Sequence, residues 1–283
     1  MSKLDPRLNA YRPDLADARL EGLVDAAGFA SARRMQVIEP LIGMHKAPRF
    51  DAMQLTQALM GETVNVFAEI EGWAWVQLER DGYVGYVHSN ALSANVMAPT
   101  HRVAVPSTFL YNDSNLKTQP AILLTMNAQL AVSGGDDKFA KLADGRFVFA
   151  RHLKPIHEYE TDFVTVASMF RHVPYYWGGK SVQGLDCSGL VQLALEAAGV
   201  VTLRDSDMQE ETLGIRLMVN DLDGLARGDL VFWNGHVGIM TGATTLLHAN
   251  GYHMMVVEEP LQDAVARIAA GYGEVTSVKR LRR

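Results

Sequence analysis

The chain has little that would tie it to an oxidising compartment, a membrane or a nucleic acid. It holds one cysteine, Cys187, among 283 residues, so no intramolecular disulfide can form. No apolar run approaches the ~18 residues that a membrane-spanning helix needs. The N-terminal stretch "MSKLDPRLNAYRPDLADARLEG" is charged throughout and lacks the apolar centre of a secretory signal, which sets a cytoplasmic expectation. A net charge of −6 with no basic block argues against nucleic acid or anionic membrane as the main partner. No Walker loop, dinucleotide fingerprint or Gly-x-Ser-x-Gly elbow occurs, and no histidine pair has zinc-ligand spacing with a thiol or carboxylate partner. Neither a cofactor nor a metal is therefore expected, and the 13 methionines read as core filler.

What is present is the balance of a folded protein, 48% hydrophobic and 20% charged, with length for two ordinary domains or three small ones. Residues 1–34 read as an N-terminal helical arm, on the stretch "LADARLEGLVDAAGFASARR". Residues 35–98 turn to short strands: "ETVNVFAEI", "WAWVQLE" and "GYVGYV" alternate apolar and polar residues, with Asp81-Gly82 as a hairpin turn signal. Residues 99–156 repeat that texture. "MNAQLAVSGGDDKFAKLADGRFVFARHL" can be set beneath "GETVNVFAEIEGWAWVQLERDGYVGYV" as a second copy of a small barrel, two unrelated β units being the alternative.

From residue 157 to 283 the pattern becomes mixed. A helix over "TDFVTVASMFRHV" is expected to start behind Thr161 and stop before Pro174. A glycine-rich loop, a helix after Cys187, the strands "DLVFW", "HVGIMTG", "TLLHAN" and "MMVVEE", and a short helix "LQDAVARIA" follow. A helix pair followed by an antiparallel meander is an α+β arrangement.

The lone thiol stands where loop becomes helix. Asp186 is a good cap, and Leu190, Ala194 and Ala197 keep helical spacing up to a Gly199 stop. A thiol in the first helical turn meets unpaired N–H groups and a positive dipole end, which can lower its pKa from ~8.5. Asp186 opposes that, so a base is needed. Asn234-Gly235 predicts a two-residue hairpin with His236 at the start of the returning strand, and His248 lies on the next strand. If the register sets His248 across from Gly238, both imidazoles share one face, with Gly238 leaving room between them. One histidine then takes the thiol proton while the other orients it. The bland readings are a packed cysteine, a hairpin-edge histidine and a core histidine.

The blocks "YYWGG…GLDCSGLV…AGV", "RDSDMQ" and "GDLVFW…HVGIMTG…HAN" resemble, in order and spacing, the NlpC/P60 papain-like cysteine peptidases over roughly residues 160–283. "LMGETVNVF", "EGWAWVQL" and "DGYVGYV" resemble the bacterial SH3 domains that precede the catalytic unit in γ-D-glutamyl-L-diamino acid endopeptidases. The resemblance implies a papain-like domain behind two small SH3-like barrels. It implies Cys187 as nucleophile, His236 as general base, His248 as orienting third member and Tyr175 with its hydroxyl near the reacting carbonyl. Asp186 and Ser206 match positions that hold a substrate's terminal amine, and Glu62 and Tyr83 match an acidic residue and a tyrosine with which a first SH3 domain closes the cleft. The implied substrate is a free murein peptide with an N-terminal L-Ala, cut at the γ-D-glutamyl–diamino acid bond, and the chain is read as a monomer. Hydrolysis of intact wall, with the SH3 units as binding modules, and a non-catalytic SH3 binding protein are the alternatives.

Overall fold

The computed structural model describes residues 4–218 and 222–281, so the first three residues of the expected arm lie outside the described residues. The chain divides into two compact units, residues 1–158 and 159–283.

In the first unit the N-terminal segment forms strands where a helix was expected. Leu15–Asp17 pairs antiparallel with Tyr11–Arg12 and parallel with Phe29–Ala30, and a single 3₁₀ turn, Ala18–Leu20, lies between. Two local features cause this. The Asp17 carboxylate accepts the Arg19 N–H at 2.9 Å, which favours a tight turn over a continuing helix. Gly22 then takes φ +78°, a left-handed conformation in which a helix stops.

The strands that follow form one seven-stranded antiparallel sheet. Its spatial order is Leu92–Ser93, Arg33–Val37, Thr63–Ile70, Trp73–Leu78, Val84–His88, Leu41–His45 and Gln54–Leu59. Residues 99–156 form two further sheets, of five and three strands. Both halves close in the same way. A strand meander leads into a 3₁₀ turn (Ser89–Ala91, then Ala150–His152) and a short final strand (Leu92–Ser93, then Leu153–Pro155). The halves are welded together. Met60 from the first half packs in the core formed by Val103, Leu110, Leu124 and Val148, and its carbonyl accepts the Gln129 N–H at 2.8 Å. Gly61 has φ +84°, and a Cβ there would fall on the Gln129 carbonyl.

The second unit is a six-stranded antiparallel sheet with helices against it. The order is Ile215–Arg216, Ser277–Arg280, Leu230–Trp233, His236–Met240, Thr245–Asn250 and Met255–Pro260. The helix Phe163–Ser168 is capped by Asp162, whose carboxylate accepts the Val164 N–H at 3.0 Å, in place of the expected Thr161. The helix Cys187–Ala197 is buried on nearly every side, its small residues allowing close packing against Phe163–Ser168 and against the strands carrying both histidines. It ends at Gly199 (φ +77°), where the Val200 N–H reaches the Leu195 carbonyl and the Gly199 N–H reaches that of Glu196. The helix Leu261–Tyr272 packs on the last two strands over a core of Trp233, Met240, Leu246 and Ile268.

Candidate active site

Cys187 is the first residue of its helix, and the sequence around it is built to hold that start still. Asp186 caps the helix, its Oδ1 accepting the Gly189 N–H at 2.7 Å. Its Oδ2 accepts the Gly178 N–H at 2.8 Å and the Arg204 Nη2 at 2.7 Å. Gly189 sits so close to Gly179 that a Cβ there would meet the Gly179 carbonyl. The glycine-rich loop and the helix start are thus locked against each other. Arg204, 1% exposed, also donates to the Ser188 hydroxyl at 2.9 Å, and Gln209 donates to the Ser188 carbonyl at 3.0 Å.

That network was not foreseen. The block "RDSDMQ" was read through Ser206 as an amine ligand, yet Arg204 and Gln209 are the residues in it that brace the thiol's helix. Ser206 opens the helix Ser206–Thr212, is buried, and is not among the residues lining the cleft around Cys187. Asp186 already receives a guanidinium and two backbone donors, so the lone-pair capacity assumed for a substrate ammonium is largely taken up. In the first unit Glu62 and Tyr83 are each 3% exposed, where barrel surface was the alternative reading. Glu62 lies 2.9 Å from Arg80 and accepts the Leu59 N–H at 3.2 Å, while Tyr83 ends a turn held by Asp81.

The histidines meet. Trp233 pairs with His236 across Asn234-Gly235, with Gly235 at φ +75°, which is the two-residue hairpin expected from that dipeptide. Ile239 pairs with Leu247 and Met240 with Leu246, so the same register sets His248 opposite Gly238. The rings lie on one face, His236 Nε2 2.8 Å from His248 Nδ1. Gly238 serves a different purpose from the one expected. A Cβ at that position would strike the Leu246 side chain (2.7 Å to Cδ1), so the glycine makes room for a core leucine.

Cys187, His236, His248, Tyr175, Trp177, Tyr252, Arg267 and Tyr272 line one cavity of about 460 Å³. The backbone N–H groups of Ser188 and Val237, the latter next to His236, act on the sulfur and favour its anion. They do not win. Burial, then the Asp186 charge, push the Cys187 thiol up to about 12. Burial, then His248 and Arg267, push His236 down to about 3. The resting pair is thus a neutral thiol and a neutral imidazole, so the helix start alone does not ionise the sulfur and His236 must take its proton. Burial and the neighbouring Cys187 and Asp186 charges raise the Tyr175 phenol, which stays protonated and able to donate.

Two residues behind the histidines escaped the sequence reading. His248 Nε2 is 2.6 Å from Glu259 Oε1, and Glu259 Oε2 accepts from Arg267 Nη1 at 2.7 Å. Burial works to raise the Glu259 pKa, but hydrogen bonds from His248 and Arg267 hold it down at about 2. The available signal was the alternation of the last strand, which puts Glu259, opposite Leu246, on the face of His248.

Comparison with known proteins bears on both units. Residues 172–269 match the model of the NlpC/P60 family, and residues 44–92 match that of the bacterial dipeptidyl-peptidase Sh3 domain. Dipeptidyl-peptidase 6 of Lysinibacillus sphaericus is 25% identical over 238 residues, 76% of this chain and 86% of that protein. The γ-D-glutamyl-L-lysine dipeptidyl-peptidase of Bacillus subtilis is 28% identical over 216 residues, 69% of this chain and 71% of that protein. Among solved structures, an NlpC/P60 family protein from Bacillus cereus superposes with a TM-score of 0.73 at 20% identity, covering 87% of this chain and 99% of that one.

Proposed function

The chain belongs to the NlpC/P60 family of peptidases, and from that premise we propose that it cleaves the γ-D-glutamyl–diamino acid amide bond of short murein peptides bearing a free N-terminal L-Ala. The observation that carries the chemistry is that Cys187 and His236 line one cleft, with His248 2.8 Å behind His236. Two relatives with dipeptidyl-peptidase names support the choice of bond, since such an enzyme measures two residues from a free amino end.

The steps follow from the neutral resting pair. As the sulfur attacks the γ-carbonyl carbon, its proton passes to His236 and the carbonyl electrons move to oxygen. Backbone N–H groups at the helix start and the Tyr175 hydroxyl are the donors available to that oxyanion. His236 then returns the proton to the departing amine, leaving a thioester on Cys187. A water, deprotonated by neutral His236, attacks the thioester carbon; the C–S bond breaks, the product leaves with a free γ-carboxyl group, and the proton on His236 returns to the sulfur. Because the thiol is protonated at rest, deprotonation and attack are coupled, and His236 is indispensable to the first step.

A cytoplasmic role in recycling free wall peptides is part of the same proposal. Mass spectrometry on L-Ala-γ-D-Glu-diamino acid, its N-acetylated form and whole sacculi tests it. Release of the dipeptide from the free tripeptide, with at least a hundredfold loss on acetylation, is expected. Digestion of sacculi at a comparable rate would instead make the protein a wall hydrolase.

A further inference from the structure

The contacts behind His236 continue beyond His248. We propose that Glu259, clamped by Arg267, is a positioning residue that sets the tautomers of both histidines and so turns a bare His236 nitrogen towards Cys187. The inference rests on the reading of His236 as the base.

A neutral imidazole has one N–H and one bare nitrogen. An ionised Glu259 can only accept, so His248 must carry its proton on Nε2, the atom 2.6 Å from Glu259 Oε1. His248 Nδ1 is then bare and accepts from His236 Nε2 at 2.8 Å. That leaves Nδ1 as the unprotonated nitrogen of His236. Burial lowers the His248 pKa and keeps that ring neutral, and with both rings neutral the three groups admit one other arrangement, with every proton moved along, which requires Glu259 to be protonated. Arg267 stands against that, since Nη1 donates to Oε2 at 2.7 Å and Nη2 meets Oε1.

One neighbour competes. Asn250 Nδ2 lies 2.9 Å from His248 Nε2, and its amide is oriented by the His253 N–H, which donates to Oδ1 at 2.8 Å. An amide donor favours a bare Nε2. The contact to Glu259 is shorter and charge-assisted, and such bonds are about twice as strong as neutral ones, so the proton goes to the carboxylate. The clamp is also local. Glu259 stands near the end of the strand Met255–Pro260 and Arg267 in the helix that follows, so one corner of the fold holds both. Tyr252 covers the guanidinium, its ring centre 4.7 Å from the Arg267 carbon.

Two-bond ¹H–¹⁵N correlation spectra of the full chain, labelled at histidine, read the tautomers directly, with His236→Ala and His248→Ala identifying the signals. Both rings are expected as Nε2–H in the native protein. In Glu259→Gln the side-chain amide can donate to His248 Nε2. Both rings should then move towards Nδ1–H, and kcat should fall at least ~100-fold with KM within about threefold, because a wrong tautomer in a catalytic triad costs up to ~10⁴-fold. Glu259→Asp, which restores the carboxylate, should recover the Nε2–H pattern and most of kcat. An Nδ1–H signal at His248 in the native protein would overturn the proposal even if no variant folds. So would a Glu259→Gln variant that loses turnover while both tautomers stay unchanged, since its role would then be structural. Retained turnover in His236→Ala would instead sink the base assignment, a separate failure.

Discussion

Arg204 Nη2 stands 2.7 Å from Asp186 Oδ2, with both side chains almost wholly out of solvent. The residue before the nucleophile is thus half of a buried ion pair as well as a helix cap, and it fixes where the sulfur sits. Asn caps a helix about as well as Asp, so Asp186→Asn isolates the charge. Taking the negative charge out of this buried ion pair leaves the Arg204 guanidinium without the carboxylate that balances it, which costs about 3–5 kcal/mol. Urea denaturation should show a loss of that order, with kcat falling as the helix start loosens. Unchanged stability together with a raised KM would restore Asp186 as the ligand of a substrate amine.

The protonation of the resting pair predicts how Cys187 alkylates. With the thiol raised to about 12 and His236 lowered to about 3, both are neutral across the physiological range. Iodoacetamide should react slowly at pH 7, and its rate should climb about tenfold per pH unit with the thiolate fraction. A preformed thiolate–imidazolium pair would give a rate plateau at mildly acid pH, and observing one would contradict the neutral ground state.

Gly61 joins the two halves of the first unit where no side chain fits. Gly61→Ala forces a non-glycine residue to φ +84° and sets its methyl group on the Gln129 carbonyl. Strain of this kind costs about 1–3 kcal/mol, before any separation of the backbones is counted. Differential scanning calorimetry should record a lowered transition. A variant as stable as the native chain would mean that the junction yields freely.

Much of the site could be read from local signals. Asn234-Gly235 dictates a tight hairpin, the strand period of two then assigns each ring a face, and a register sum decides whether the rings meet. All of that is short-range, and the structure agrees with it. The dipole of a helix start and the opposing Asp186 charge are visible in sequence, whereas the burial of the sulfur, the largest influence on its pKa, is not. Asp186 looked free for a ligand because its partner, Arg204, lies 18 residues away and its approach depends on tertiary packing.

The N-terminal arm shows the opposite failure. "LADARLEGLV" has helical spacing, but Asp17 turns back on Arg19 and Gly22 ends any helix, so Leu15–Asp17 gains more from pairing with two strands. Tertiary pairing there outweighed a weak local propensity. Glu259 and Arg267 went unnoticed for another reason. A charged pair separated by eight residues reads as a solvated corner until His248 is known to lie against it.

Turnover by Cys187→Ala tests the nucleophile most directly. The substitution removes one buried sulfur that borders the cleft, a small truncation, and its thermal transition should stay within about 4 °C of the native value. Hydrolysis of the free tripeptide should fall at least ~10³-fold in kcat, since without the sulfur no thioester can form. Undiminished hydrolysis by a folded Cys187→Ala protein would contradict the assignment and with it the acyl-enzyme route.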